Sequence, residues 1–339
     1  MNVSVNDPFG AASDKAMPTL AAALDPVEAR KEFKRRLPRL SGKDGKLRLQ
    51  AIRVIRHKPG RRCVVEYDVV VERPNLPPHT LTLIGKIRAR RFGKESFRLL
   101  MDIWNAGFDD HSPDGVSVPE PIGVIARFHM WFQRKAPGAL ATSLLAGPRG
   151  VWLACQIAEA IHKVHQAKVP TERRHEMADE LRILNECLGK TAQSRPEWGR
   201  RLRQVWEACE RLGNTVSASG DCGIHRDFYS AQVLVDEGRL FLIDFDLYCR
   251  GDPALDIGNF IGHMTEQSLR ELGDARAMAE QENALEERFV TLAGEEYRSR
   301  IQAYTTLTLT RHVYLSTQFS ERQKFATSLL GLCEERLGL

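Results

Sequence analysis

The chain has 339 residues, 42% of them hydrophobic and 27% charged, with a formal net charge of +5. These are the proportions of a globular protein able to bury a core, and the length favours two domains or lobes over one. No apolar run approaches the roughly 18 residues of a membrane helix and the N-terminus lacks the basic-then-apolar layout of a signal peptide, so a cytoplasmic protein with no membrane partner is expected. The positive charge is concentrated. Residues 28–98 carry about twenty Lys and Arg against about seven acids, while residues 252–299 carry about eleven acids against four bases. A basic half and an acidic half argue against a uniformly basic nucleic-acid binder. Seven scattered cysteines with no Cys-x-x-Cys pair read as reduced, mostly buried small hydrophobes, and no structural zinc site is expected. His162 and His165 share a helical face without a third ligand nearby, which fits a packed or solvated helix end better than a metal.

Residues 1–24 mix Asn, Ser, Asp, Pro, Gly and Ala without periodicity, which predicts a mobile tail. Asp25-Pro26 is an N-cap followed by Pro at the first helical position, so a short basic helix over Val27–Leu37 is expected, closed by Pro38. Leu47–His57, Cys63–Glu72 and Thr80–Ala89 read as three strands of an antiparallel meander, the first two joined by Lys58-Pro59-Gly60-Arg61-Arg62. Phe92–Phe108 has helical spacing, with Phe97, Leu100, Met101 and Trp104 at intervals of three and four. Val116–Ile125 and Phe128–Phe132 supply two more strands. The sum is an N-terminal lobe over residues 25–133, a five-stranded antiparallel sheet with one inserted helix. From 134 to 339 helical patterns dominate: Val151–Gln166, Arg173–Leu188, Glu197–Arg211, Ile257–Leu272, Arg276–Leu292 and Glu295 onward. This is an α+β chain with a mainly helical second lobe.

The helical lobe is interrupted once. Gln232-Val233-Leu234-Val235 and Leu240-Phe241-Leu242-Ile243 are β-rich runs around Asp236-Glu237-Gly238-Arg239, the composition of a tight hairpin turn. A hairpin brings Asp227, before its first strand, beside Asp244, after its second. Carboxylates so gathered repel unless a cation lies between them, so the hairpin mouth reads as a metal or acid–base site; the plainer alternative is a surface hairpin with acidic ends.

The order of parts, with His225-Arg226-Asp227, Gln232, Ile243-Asp244-Phe245-Asp246 and Gly251-Asp252-Pro253-Ala254-Leu255-Asp256-Ile257-Gly258-Asn259 in succession, resembles the aminoglycoside phosphotransferase and choline kinase family of small-molecule kinases. That family's pattern is His-Gly-Asp, then Asn, then Ile-Asp, then Gly-Asp-Pro-x-x-Asp-Leu-Ala. The resemblance implies a protein-kinase-like two-lobe fold and an ATP- and Mg²⁺-dependent transfer of phosphate to the hydroxyl of a small molecule that is aminoglycoside-, amino-alcohol- or sugar-like. It implies Asp227 as the catalytic base and Asp244, Gln232 and Asp246 as metal ligands, with His225 and Asp256 bracing the loop. Asp246 would point the same way as Asp244 if the strand continued. It implies Lys86 on the α- and β-phosphates with Glu95 as its helix partner, Lys58 and Arg61 at the phosphate-covering turn, and adenine held against the strand carrying Met130 and Phe132. The acidic stretch Glu266–Glu296 would suit a cationic acceptor. Two departures stand out: Gln232 replaces Asn, carrying the amide one methylene further, and Arg226 replaces Gly. The Gln replacement motivates an alternative, a catalytically weak nucleotide-binding protein acting through partners. Protein phosphorylation is disfavoured, since no Ala-Pro-Glu element follows Asp244.

Overall fold

The computed structural model describes residues 3–42, 45–74, 76–89, 93–216 and 221–339. The chain divides into two compact units, Met1–Pro137 and Gly138–Leu339.

The first unit is built on a six-stranded sheet. The strands Lys46–Lys58, Arg62–Glu72, His79–Arg88, Met130–Arg134 and Pro121–Ile125 follow one another across it, each antiparallel to its neighbour. Val65, Tyr67, Val69 and Val71 alternate onto one buried face, as a pleated strand requires. Against that face lies the helix Pro26–Arg36, capped by Asp25, whose carboxylate accepts from the N–H groups of Val27 at 2.8 Å and Glu28 at 2.9 Å. Phe33 of this helix meets Tyr67 and Phe132 in an aromatic triangle with centroids 5.1, 5.4 and 5.7 Å apart. Gly85 is required beneath it, because a Cβ there would come 2.3 Å from the Met130 sulfur. The inserted helix is Lys94–Asn105; Phe92, where it was expected to begin, lies outside the described residues.

The sixth strand corrects the reading of residues 1–24 as a mobile tail. Ser4–Asn6 pairs parallel with Ala51–Arg53 at the sheet edge, and Ala11, Met17, Leu20, Ala23 and Leu24 enter the core. The Tyr67 hydroxyl donates to the Ala23 carbonyl at 3.0 Å. Small apolar residues with irregular spacing give no periodic signal, yet they fit closely against a sheet that is already formed.

The second unit holds the helices Gly150–Gln166, Met177–Ser194, Gly199–Thr215, Ala254–Gln267, Ala279–Ala293, Arg298–Gln318 and Ala326–Leu337. What reads as one helix from Glu295 onward is thus two, broken after Gln318. Ala254–Gln267 and Arg298–Gln318 approach backbone to backbone: a Cβ on Gly258 would lie 2.5 Å from the Tyr304 Cβ, and one on Gly262 would lie 2.8 Å from the Thr308 methyl. Gly258→Ala is accordingly expected to destabilise the protein by about 1–3 kcal/mol through overpacking, measurable as a lower melting temperature. The hairpin forms as read, with Val233–Asp236 paired to Arg239–Leu242 and Glu237 and Gly238 both at positive φ, 45° and 86°. A second small ladder pairs Cys222–Ile224 with Cys249–Gly251. All seven cysteines are free thiols. Among the described residues no helix is long and apolar enough to cross a membrane.

Candidate active site

The site in the second unit is assembled from the hairpin mouth and the first turn of Ala254–Gln267. His225 follows the strand Cys222–Ile224 and is fully buried between the rings of Phe228 and Phe245. Its Nε2 lies 2.9 Å from the Ile243 carbonyl. A carbonyl can only accept, so Nε2 carries the proton. The Ile243 N–H in turn donates to the Gln232 carbonyl at 3.0 Å. These two bonds join the chain before the hairpin, the start of its first strand and the end of its second, which fixes Asp227, Gln232 and Asp244 on one scaffold.

Asp256 is the anchor beneath that scaffold. Its carboxylate is completely buried and accepts three hydrogen bonds: from the backbone N–H of His225 at 2.8 Å, from that of Arg226 at 2.6 Å and from His165 Nε2 at 2.9 Å. Arg226 stands at φ 70°, in the left-handed region where a side chain is strained and where glycine would be relaxed. The Asp256 carboxylate holds the backbone there, which is how a non-glycine residue occupies the middle of the triplet. One turn on, the Asn259 amide donates to the Phe228 carbonyl at 2.9 Å while its oxygen accepts from Arg311 at 2.8 Å. Arg311 reaches Glu180 at 3.2 Å, and His175 meets the same Glu180 at 2.6 Å. His165, Glu180 and Arg311 escaped the sequence reading because His165 lies 91 positions from Asp256, and Arg311 lies 131 positions from Glu180 and 52 from Asn259; no local pattern marks a contact of that range.

Asp227 follows this braced backbone. Burial above all, together with the negative charge of Asp244, pushes its carboxyl above the ordinary aspartate value, while His225, Arg311 and Arg226 pull it back. Asp244 is at φ 65° and ψ 50°, so the strand ends before it. The chain then makes a 3-10 turn, Phe245–Leu247, and the expectation that Asp246 points the same way as Asp244 along a continued strand is corrected. The Asp246 carbonyl accepts from Arg173 at 2.8 Å. Gln232 is buried at the end of the turn Ser230–Gln232. Among the described residues no group of three or more His, Cys, Asp or Glu side chains forms a cage for a metal. Asp227 and Asp244, close enough for their charges to interact, are hard oxygen donors of the kind a divalent cation takes.

In the first unit, Lys86 lies mid-sheet opposite Val64 and Trp131. Its ammonium is 5.1 Å from the centre of the Trp131 ring, a platform the sequence did not announce. Glu95 is in the first turn of Lys94–Asn105, and Lys58 and Arg61 flank the Pro59-Gly60 turn. On the strand expected to hold adenine, the Met130 and Phe132 side chains point into the core. Both are fully buried on the core face against Tyr67 and Phe33, and their strand is paired on both sides.

The acidic stretch 266–296 is largely engaged. Glu266 pairs with Arg270 at 2.9 Å, and Glu286 and Glu287 lie 3.4 and 2.6 Å from Arg298, which also pairs with Glu295. Burial raises Glu282 to about 7, and its carboxyl is bonded to Thr265.

Comparison with known proteins places this geometry. The sequence model of the phosphotransferase enzyme family (APH) matches residues 97–294. None of the curated proteins matches the sequence significantly. Among solved structures, a choline/ethanolamine kinase family protein from Mesorhizobium loti aligns with a TM-score of 0.57 at 15% identity over 92% of this chain and 95% of its own. Spectinomycin phosphotransferase APH(9)-Ia, in complex with ADP and spectinomycin, aligns at 0.56 and 10% identity over 92% and 98%. A glucosamine kinase in complex with glucosamine, ADP and inorganic phosphate aligns at 0.60 and 16% over 92% and 86%. The chain belongs to the phosphotransferase enzyme family and is a small-molecule kinase with the protein-kinase-like α+β fold.

Proposed function

We propose that this kinase moves the γ-phosphate of ATP, with Mg²⁺, to a hydroxyl of a small aminoglycoside-, amino-alcohol- or sugar-like molecule. The observation that carries this reading is the loop braced by Asp256, which holds Asp227 opposite Asp244. Phosphoryl transfer gains most of its rate from positioning and charge stabilisation, and a base carried on a loop whose backbone donates two hydrogen bonds to the buried Asp256 carboxylate suits that demand. Asp227 accepts or orients the acceptor's proton. Asp244 and Gln232 would hold Mg²⁺, with Asp246 in support; the ion would supply neutralisation of the phosphate oxygens. Lys86, oriented over Trp131 and paired in role with Glu95, contacts the α- and β-phosphates, and Lys58 and Arg61 add positive charge at the turn. The structures of relatives bound to ADP, spectinomycin and glucosamine support a nucleotide cofactor and an acceptor of this size.

Gln232 serves as a competent ligand in this scheme, its backbone being locked by bonds to Tyr229 and Ile243. Gln232→Asn should therefore change the Mg²⁺ dependence of the rate by less than about threefold, whereas Gln232→Ala should weaken it by about tenfold or more. A large gain in activity or metal affinity for the Asn variant would show instead that Gln impairs the site. The direct test of the function is an ADP-release assay with Mg·ATP across amino sugars, amino alcohols and neutral sugars.

A further inference from the structure

The turn Lys58-Pro59-Gly60-Arg61 has Pro at its second position and Gly at φ 63° in its third, the pattern of a type II turn, and is closed by the Arg61 N–H on the Lys58 carbonyl at 3.0 Å. In such a turn the Gly60 N–H is not used by the turn itself. Here it donates to the Asp14 carboxylate at 2.8 Å. The same oxygen lies 2.9 Å from His57 Nε2, and the other oxygen accepts from the Ala16 N–H at 2.9 Å. The side chains of Asp14 and His57 are 7% and 4% exposed. Ala16 lies over Gly60, its Cβ 3.4 Å from where a Gly60 Cβ would stand.

The turn therefore has an inner and an outer side. His57 and Gly60 face inward onto the N-terminal segment, while Arg56, Lys58 and Arg61 are exposed. Cations crowd that outer side: Arg62 first, then burial, Arg56 and Arg61 lower the Lys58 ammonium. A glycine-rich loop would present several backbone N–H groups to a phosphate. This turn presents side-chain cations, and long side chains bind an anion well only when their base is held still.

We propose that Asp14 is a positioning residue for nucleotide binding: it clamps the Lys58–Arg61 turn through Gly60 and His57 so that Lys58 and Arg61 meet the phosphates in a fixed geometry. This rests on the reading of that turn as the phosphate-contacting one. The step involves no bond making or breaking; Asp14 touches neither nucleotide nor acceptor.

The test compares Asp14→Ala, Asp14→Asn and Arg61→Ala in the full-length protein, measuring KM for ATP, kcat, and melting temperature with and without Mg·ATP. The expected result is a KM for ATP raised about tenfold in Asp14→Ala and in Arg61→Ala with kcat within about twofold of wild type, and an intermediate KM in Asp14→Asn, which keeps one acceptor oxygen. Asp14→Asn also serves should the Ala variant not fold. A lower melting temperature with an unchanged KM in both Asp14 variants, while Arg61→Ala raises KM, would make Asp14 merely structural and overturn the proposal. An unchanged KM in all three variants would instead remove the turn from the nucleotide site, and the proposal with it.

Discussion

Asp227→Asn is expected to lower kcat by about 10² to 10⁴-fold while leaving nucleotide binding nearly intact, because positioned acid–base groups contribute factors of that size and Asp227 is assigned no contact with the nucleotide. The same substitution should not destabilise the fold. Asp227's carboxyl has a folded-state value raised above the unfolded one, by burial first and by Asp244 in addition. The folded protein thus holds the proton more tightly than the unfolded chain, and stability declines as pH climbs through the unfolded and then the folded value. An Asn does not titrate, so the variant should match or exceed the wild type in melting temperature at neutral pH, with the difference shrinking in acid. Thermal melts from pH 4 to pH 8 would show this, and an Asn variant that loses stability as pH rises relative to wild type would contradict it. For the wild type, the acid limb of kcat/KM should titrate above the ordinary aspartate value.

Asp256→Ala is expected to have the largest effect on stability. It strands the buried N–H of His225 and the buried His165 ring together with the half-buried N–H of Arg226, and it leaves Arg226 in the left-handed region without its brace. Removing one side of a buried polar network costs on the order of 3 to 5 kcal/mol. For a unit of this size that corresponds to roughly 10 °C in melting temperature. Activity should fall by at least about 10²-fold, since Asp227 is carried on the released backbone. Adding Arg226→Gly should recover part of the stability, because glycine adopts the left-handed conformation without strain. No recovery would mean that the cost lies in the unpartnered donors alone.

The contrast between these residues and the rest of the chain shows what sequence can disclose. The nearness of Asp227 and Asp244 was legible because Asp-Glu-Gly-Arg announces a turn that brings the residues on its two sides together, and the bracing of the loop by Asp256 was implied by the family resemblance. The five main strands were legible through alternation and β-branched composition. The Ser4–Asn6 strand and the buried Leu20 and Ala23 were not, since they gain their place from a sheet that begins some forty residues later. Nor were His165 and Arg311, whose bonds to Asp256 and Asn259 span 91 and 52 positions. Met130 and Phe132 mark the remaining gap: a period of two separates the faces of a strand without saying which one meets the helix Pro26–Arg36.

The central claim is that this chain transfers phosphate from ATP to a small-molecule hydroxyl. Its most direct test is ³¹P NMR of the full-length protein with Mg·ATP and a panel of amino sugars, amino alcohols and neutral sugars. ADP should form together with a phosphomonoester of one acceptor class, in equal amounts, and the rate at which both accumulate should fall by about 10²-fold or more in Asp227→Asn. Nucleotide binding without acceptor-dependent turnover anywhere in the panel, or turnover in Asp227→Asn within about tenfold of the wild-type rate, would contradict the claim.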